Sequence, residues 1–211
     1  MSKEIAKILI DIGSVKFDFN NFFTLTSGLK SPVYVDCRKI ISFVKERDFI
    51  MKEMIKSIKT KKINFDLIAG GETAGIPYAA FISEKLKKPM VYVRKKPKGF
   101  GINNQIEGNF ENKQKILLIE DLATDGGSKI IFVEAIRKAN LIVEDIFVIF
   151  YYNIFNFSQT NLSKLKINLH SLCTWEDIIN VIEKEKLFNN NQVENLKKFL
   201  SNPLEWRKLN E

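Results

Sequence analysis

Cysteine and histidine are scarce in this chain, and their scarcity argues against several kinds of chemistry. Cys37 and Cys173 are the two cysteines, and they stand far apart, without the spacing of a zinc site. Isolated cysteines of this kind indicate a reducing compartment. His170 is the one histidine, on a predicted strand, and it pairs with no serine or cysteine nucleophile motif, so a catalytic triad has no support.

Long apolar runs are also missing. The longest run, Ile146 to Tyr152, is far shorter than the roughly 20 residues of a membrane-spanning helix. The first 14 residues carry Glu4 and Asp11 within their apolar pattern, which predicts a soluble helix and not a signal peptide. We therefore expect a cytoplasmic protein with no membrane partner.

The charge of the chain is positive but evenly spread. There are 33 lysines and arginines against 25 aspartates and glutamates, a formal net charge of +8. The excess is almost all lysine, distributed among isoleucine and asparagine, and it forms no patch. This distribution argues against a nucleic-acid partner and is compatible with an anionic small-molecule substrate.

Hydrophobic periodicity predicts strands and helices that alternate along most of the chain. Helical spacing is found over residues 3–13, 44–60, 75–87 and 128–139, and strand-like segments over residues 22–25, 33–35, 65–69, 90–93, 115–119 and 145–151. This alternation favours an α/β fold with a mostly parallel sheet and ligands at the carboxyl ends of its strands. After a further apolar segment at 165–172, capping patterns predict helix starts at Thr174 and Asn202. No repeat or linker is evident, so we expect one domain over residues 1–211.

The segment from Ile116 to Lys129 carries the most specific signal. It reads Ile-Leu-Leu-Ile-Glu-Asp-Leu-Ala-Thr-Asp-Gly-Gly-Ser-Lys and continues into a helical pattern. The four aliphatic residues predict a buried parallel strand. The first amides of a helix lack partners within it, and glycine lets the backbone approach a ligand closely, so the turn predicts a phosphate site.

Two adjacent carboxylates, Glu120 and Asp121, narrow the choice of ligand. Beside a phosphate site they would repel a bare polyphosphate, but they suit the two hydroxyls of a ribose or a bridging Mg²⁺. The pattern therefore predicts a ribose 5-phosphate ligand. The structural alternative is an ordinary turn, since many α/β proteins end a strand in aspartate and turn through glycine.

A second glycine-rich turn, Gly-Gly-Glu-Thr-Ala-Gly-Ile-Pro, occupies residues 70–77 after a predicted strand. Its outer spacing is that of a P-loop, but Ile76 stands where the phosphate-binding lysine belongs, which argues against a nucleotide triphosphatase. The presence of two glycine turns at neighbouring strand ends favours a functional interpretation, in which the backbone amides of residues 70–77 face a second anionic group such as pyrophosphate. A plain strand-to-helix turn is the alternative.

Residues 94–108 form a long basic segment, Arg-Lys-Lys-Pro-Lys-Gly-Phe-Gly-Ile-Asn-Asn-Gln-Ile-Glu-Gly. It is not a dinucleotide fingerprint, because Asn104 stands at the position of the third glycine and no helix follows. A solvated charged loop is one interpretation. The length and charge of the segment favour a cationic lid that closes over a polyanion and places a lysine on the leaving group.

Taken together, these segments resemble the type I phosphoribosyltransferases. Ile116 to Lys129 is similar to their signature for phosphoribosyl pyrophosphate (PRPP). The segments Phe-Thr-Leu-Thr-Ser-Gly-Leu-Lys-Ser-Pro-Val-Tyr at 23–34 and Arg-Lys-x-x-Lys at 94–98 narrow the resemblance to the orotate phosphoribosyltransferases. The similarity covers roughly residues 20–150. It implies the type I phosphoribosyltransferase fold, with a hood from about 1–40 and part of the C-terminal segment, and a core over about 41–175.

The resemblance also implies an activity and a set of site residues. The family is a group of pentosyltransferases that join orotate to PRPP with Mg²⁺ in pyrimidine synthesis, as homodimers whose basic loop reaches the partner's site. Lys98 would be the catalytic lysine of this loop. Mg²⁺ would be held through PRPP, with Glu120 and Asp121 as candidate protein ligands. The implied PRPP-binding residues are Glu72, Thr73, Arg94, Lys95, Lys98, Glu120, Asp121, Leu122, Ala123, Thr124, Asp125, Gly126, Gly127 and Ser128. The implied orotate-binding residues are Tyr34, Val35, Thr124 and Tyr152.

The sequence departs from the better-described branch of the family at four positions. That branch has lysines at the positions of Thr26 and Ala74, a loop histidine at the position of Phe100 and an arginine at the position of Tyr152. Lys30, Arg38 and Lys96 are candidates to supply the lost charge. Two other functions stay open at this point: salvage of a purine or of uracil by the same chemistry, and PRPP sensing without catalysis.

Overall fold

The computed structural model describes residues 2–25, 28–97, 105–124, 126–154, 157 and 161–210. The chain forms two compact units, one of residues 1–46 with 173–211 and one of residues 47–172. The expectation of one domain over the whole chain stays a prediction.

A mostly parallel sheet forms the centre of the larger unit. Among the described residues it has six strands in the order β10-β9-β8-β5-β6-β7. Their bounds are β5 Leu67–Gly71, β6 Met90–Val93, β7 Ile106–Glu107, β8 Lys115–Ala123, β9 Ile142–Tyr151 and β10 Asn168–Thr174. The pairs β6–β5, β5–β8 and β8–β9 are parallel, whereas β7 pairs antiparallel with β6. The α/β class that the sequence predicts is therefore confirmed.

The central strands are buried on both faces. Every residue of β5 is buried, as are Ile116 to Glu120 in β8 and Ile146 to Tyr151 in β9. Continuous aliphatic runs are what a parallel sheet requires when helices cover both of its faces. The helices of this part of the chain are α2 Val44–Thr60, α3 Gly75–Leu86, α4 Gly127–Lys138 and the short α5 Asn161–Lys164.

The smaller unit contains short antiparallel pairs and C-terminal helices. β1 (Val15–Phe17) pairs with β4 (Val33–Val35), and β2 (Phe23–Thr24) pairs with β3 (Lys30–Ser31). The helices are α1 Ser2–Asp11, a 3₁₀ helix at Cys37–Ser42, α6 Trp175–Glu185, α7 Asn190–Ser201 and α8 Pro203–Asn210. The strand at 33–35 and the helix starts at Thr174 and Asn202 agree with the sequence, whereas β1, β3 and α7 are not among its predictions.

The start of α6 shows how a local pattern fixes a boundary. The Asp177 carboxylate accepts a hydrogen bond from the backbone amide of Thr174 at 3.0 Å, as a capping box requires. This bond satisfies an amide at the start of the helix.

We expect Asp177→Ala to lower the free energy of unfolding by about 1 kcal/mol, because it removes this cap. Glu176→Ala is the matched control, since it removes an acid from the same helical turn and leaves the cap intact. Urea unfolding of both variants measures the difference. Equal losses in the two variants would show that the carboxylate acts through the helix dipole and not through the cap.

Candidate active site

A cavity of about 200 Å³ lies where β8 ends and α4 begins. Six of the sequence-predicted residues line it, together with one that was not predicted, Lys129. The lining residues are Asp121, Leu122, Thr124, Gly126, Gly127, Ser128 and Lys129. Ala123 is buried in β8, and the predicted residue Asp125 lies outside the described residues. The structure thus brings most of the predicted ribose-phosphate residues to one space.

The turn into α4 depends on glycine at position 126. Gly126 has a φ of +85°, in the left-handed region, and a Cβ there would lie 2.4 Å from Leu162 Cδ1. Its carbonyl accepts hydrogen bonds from the amides of Lys129 and Ile130 at 2.9 and 3.3 Å. The amides of Gly127 and Ser128 precede these first helical bonds. This is the arrangement from which a helix N-terminus binds an anion.

The two adjacent carboxylates have different surroundings. The sequence predicts that the strand ends at residue 119, but β8 continues to Ala123, so Glu120 and Asp121 both belong to it. Successive side chains of a strand point to opposite faces. Asp121 is half-buried and lines the cavity, whereas Glu120 is 4% exposed and is not among the lining residues.

Glu120 forms a buried ion pair with Lys129. Its Oε2 lies 2.6 Å from Lys129 Nζ, and the two side chains are 5% and 7% exposed. Its Oε1 is buried and has no hydrogen-bond partner within the described part of the chain. A Cβ added to Gly71 or Gly75 would lie 2.3 or 2.4 Å from this oxygen. The carboxylate therefore fills the space that the two glycines leave.

Burial raises the pKa of Glu120 from its ordinary value of 4.5 to about 7. The neighbouring Asp121 acts in the same direction, while Lys129 and Lys95 oppose the shift. Desolvation of the charged form is the largest cause, since the carboxylate has lost most of its contact with water.

Glu72 connects the second glycine turn to the basic segment. Its Oε2 accepts a hydrogen bond from the amide of Lys95 at 2.8 Å, and its own amide donates to the carbonyl of Val93 at 2.9 Å. Thr73 is exposed, and the peptide bond between Glu72 and Thr73 is cis. The loop after β5 is thus fixed to the end of β6.

The basic segment leaves the sheet at β6 and returns at β7. The Arg94 amide donates to the carbonyl of Gln105 at 2.8 Å, and the Gln105 side chain donates back to the Arg94 carbonyl at 2.9 Å. Arg94 Nη1 also lies 3.8 Å from Glu107 Oε1. Lys95 is exposed, and Lys98 lies outside the described residues. The sequence does not predict β7, because two residues are too few to show a period.

The residues predicted to bind orotate are divided between the two units. Tyr34 and Val35 belong to β4 of the smaller unit, where Tyr34 Oη accepts a hydrogen bond from Arg38 Nη2 at 3.3 Å. In the larger unit, Tyr152 follows β9 and its amide donates to the carbonyl of Ala123 at 2.9 Å. Their contact with orotate stays a prediction.

Lys129 is the residue of this site that the sequence does not single out. Its signal is a cation in the first turn of a helix, where the helix dipole favours anions.

In the described ranges, no three His, Cys, Asp or Glu side chains gather into a metal site, and no helix there is long and apolar enough to cross a bilayer.

The raised pKa of Glu120 makes a prediction about stability. Between pH 4.5 and about 7 the folded chain keeps a proton that the unfolded chain has released, so the contribution of this group to stability falls as the pH rises. We expect the stability of the native protein relative to Glu120→Gln to fall by up to about 1.4 kcal/mol per pH unit in this range.

Urea unfolding at several pH values, with a chelator present, measures this difference. Glu111→Gln, which removes an exposed acid, is the control. Its free energy of unfolding should depend on pH in the same way as that of the native protein. A constant difference between native protein and Glu120→Gln would contradict the raised pKa.

Comparison with known proteins identifies relatives over nearly the whole chain. Orotate phosphoribosyltransferase of Roseobacter denitrificans is 44% identical over 214 residues, which span 100% of this chain and 94% of the relative. The enzyme of the same name from Agrobacterium fabrum is 45% identical over 206 residues, 96% of this chain and 88% of the relative. No protein-family model matches the chain.

Solved structures give the same result for the fold. UMP synthase of Leishmania donovani has a TM-score of 0.78 at 28% identity, covering 94% of this chain and 42% of that chain. Orotate phosphoribosyltransferase of Aeropyrum pernix has a TM-score of 0.73 at 25% identity, covering 88% of this chain and 99% of that chain. The predicted type I phosphoribosyltransferase fold is confirmed, and the chain belongs to the orotate phosphoribosyltransferase family.

Proposed function

We propose that this protein transfers the ribose 5-phosphate group of PRPP to orotate, giving orotidine 5′-monophosphate and pyrophosphate in the synthesis of UMP. One observation carries the proposal: in a chain of this family, Asp121 and the first turn of α4 face a single cavity of about 200 Å³. An acid and a helix N-terminus on one cavity match the hydroxyls and the phosphate of a ribose 5-phosphate. We also propose that the protein acts in the cytoplasm as a homodimer.

The chemistry requires no covalent nucleophile. The bond from ribose C1 to the diphosphate breaks and releases pyrophosphate, positive charge develops on the ring, and the bond from C1 to orotate N1 forms as N1 gives up its proton. In this proposal the first turn of α4 holds the 5-phosphate and Asp121 accepts hydrogen bonds from the ribose hydroxyls. Fixing both ends of the sugar orients C1 toward the base, which lowers the entropic cost of the reaction.

Asp121 fits the expected Mg²⁺ better than Glu120 does. Asp121 presents a half-buried carboxylate at the cavity, and carboxylate oxygens are preferred ligands of this ion. Glu120 is buried, and one of its oxygens is 2.6 Å from the Lys129 ammonium. When bound with PRPP, Mg²⁺ would offset negative charge on the diphosphate.

The basic segment is proposed to act on the diphosphate. Lys98 would contact the leaving group, with Arg94 and Lys95 nearby at the end of β6. The support is the hydrogen bonding of Glu72 to the Lys95 amide, which joins the second glycine turn to the start of this segment.

The substrate assignment is tested with purified protein, PRPP and Mg²⁺. Orotate, adenine, hypoxanthine and uracil are supplied separately, and pyrophosphate release is followed. We expect pyrophosphate release only in the reaction that contains orotate, because the chain belongs to the orotate phosphoribosyltransferase family. Release only with a purine or uracil would indicate a salvage enzyme, and no release with any base would indicate a PRPP-sensing protein.

Lys98→Ala should lower kcat by about 10²–10³, the usual loss when one preorganised charge contact to a transition state is removed. Lys56→Ala, which removes an exposed lysine from α2, is the control for a general loss of charge. Steady-state kinetics measure the effect, and circular dichroism checks that both variants fold. Turnover by Lys98→Ala within a few-fold of the control would remove Lys98 from the mechanism.

The sharing of the loop between subunits is tested by mixing two impaired variants, Lys98→Ala and Asp121→Asn. If Lys98 serves the partner's site, a mixed dimer has one site with both residues intact. Random mixing should then restore about one quarter of native activity. If the loop serves its own subunit, no mixed site is complete and the mixture stays as inactive as its components.

A further inference from the structure

Lys129 is placed where a lysine is electrostatically unfavourable. It lies in the first turn of α4, where the dipole of the helix repels a cation, and its side chain is 7% exposed. Both effects oppose a charged ammonium at this point. A nearby anion must compensate for the helix dipole and the burial, so the partners of this ammonium indicate its role.

Glu120 supplies one compensating charge when it is ionised. Its carboxylate is 2.6 Å from the ammonium and is held against Gly71 and Gly75. The ammonium also donates a hydrogen bond to Ser128 Oγ at 3.1 Å. Within the described residues these are its two protein partners, so one of its three N–H groups is left for a ligand.

Ser128 connects this ion pair to the phosphate cavity. Both Ser128 and Lys129 line the cavity, and Ser128 is one of the residues that the family resemblance implies for PRPP binding. A hydroxyl that accepts a hydrogen bond from an ammonium keeps its own proton free to donate. The hydrogen bond from Lys129 therefore turns Ser128 into a donor toward the ligand.

We propose that Lys129 is a positioning residue for the 5-phosphate of PRPP: it directs the Ser128 hydroxyl at the phosphate and adds positive charge beside it, while Glu120 holds it in place. This inference rests on the proposed function only for the ribose 5-phosphate part of the substrate. It holds equally for any base acceptor.

The test separates phosphate binding from folding. Lys129→Met removes the charge at similar side-chain length, Lys129→Arg keeps the charge, and the double variant Glu120→Gln/Lys129→Met removes both buried charges. Lys138→Met, at the exposed end of the same helix, is the control. For each protein, calorimetry gives the Kd of ribose 5-phosphate and of inorganic phosphate, urea unfolding gives stability, and kinetics give KM for PRPP and for orotate.

Lys129→Met should weaken ribose 5-phosphate binding by about 10- to 100-fold, the effect of one lost hydrogen-bonding charge. KM for PRPP should rise by a similar factor, while KM for orotate changes little. Lys129→Arg should recover most of the affinity. The double variant should recover stability, because no unpaired carboxylate is left buried, but it should not recover affinity.

Two results would overturn the proposal. Native affinity in Lys129→Met would show that the ammonium does not act on the phosphate. Recovery of affinity in the double variant would show that Lys129 only neutralises Glu120. Both results are distinct from failure of the proposed function, because ribose 5-phosphate binding to the native protein does not depend on which base is used.

Discussion

A charge removed from water must be compensated within the protein, and the pair of Glu120 and Lys129 meets this constraint at the junction of β8 and α4. The carboxylate belongs to the strand and the ammonium to the helix, so the pair fixes one element against the other. The cavity at this junction is lined by Lys129 itself and by residues that lie between the pair in the chain: Asp121, Leu122, Thr124, Gly126, Gly127 and Ser128. Its geometry therefore depends on an interaction that is itself buried.

The site combines fixed backbone with side chains of different accessibility. Gly126 sets the entry into α4, and Gly127 and Ser128 of the first helical turn line the cavity. Asp121 lines the same cavity from the strand, whereas Glu120 is buried and does not line it. In the proposed function, this division would let Asp121 bind the sugar and Glu120 hold the lysine beside the phosphate, although the two acids are consecutive in the chain.

The sequence predicts the frame of this structure well and its finer geometry less well. The helix at 44–60 and the strand at 90–93 match α2 and β6 at both ends, because their periodicity and flanking residues are clear. The two-residue strands β3 and β7 show no period of their own and form through pairing with distant residues. The different surroundings of Glu120 and Asp121 follow from the alternation of side chains along β8, which continues four residues beyond the predicted end of the strand at 119.

The contact of Glu120 Oε1 with Gly71 and Gly75 has a consequence for sequence variation. A methyl group at either glycine would overlap the carboxylate, so positions 71, 75 and 120 are sterically coupled although three different elements or their ends supply them. A larger residue at 71 would also meet the Phe132 ring, and one at 75 would meet the backbone carbonyl oxygen of Ile119, so a shorter side chain at 120 would not make room at 75. At 71 it would relieve part of the overlap, but it would leave the lysine of α4 without its counter-ion. Backbone alone therefore restricts position 75 to glycine, whereas changes at 71, 120 and 129 are coupled to one another through the carboxylate.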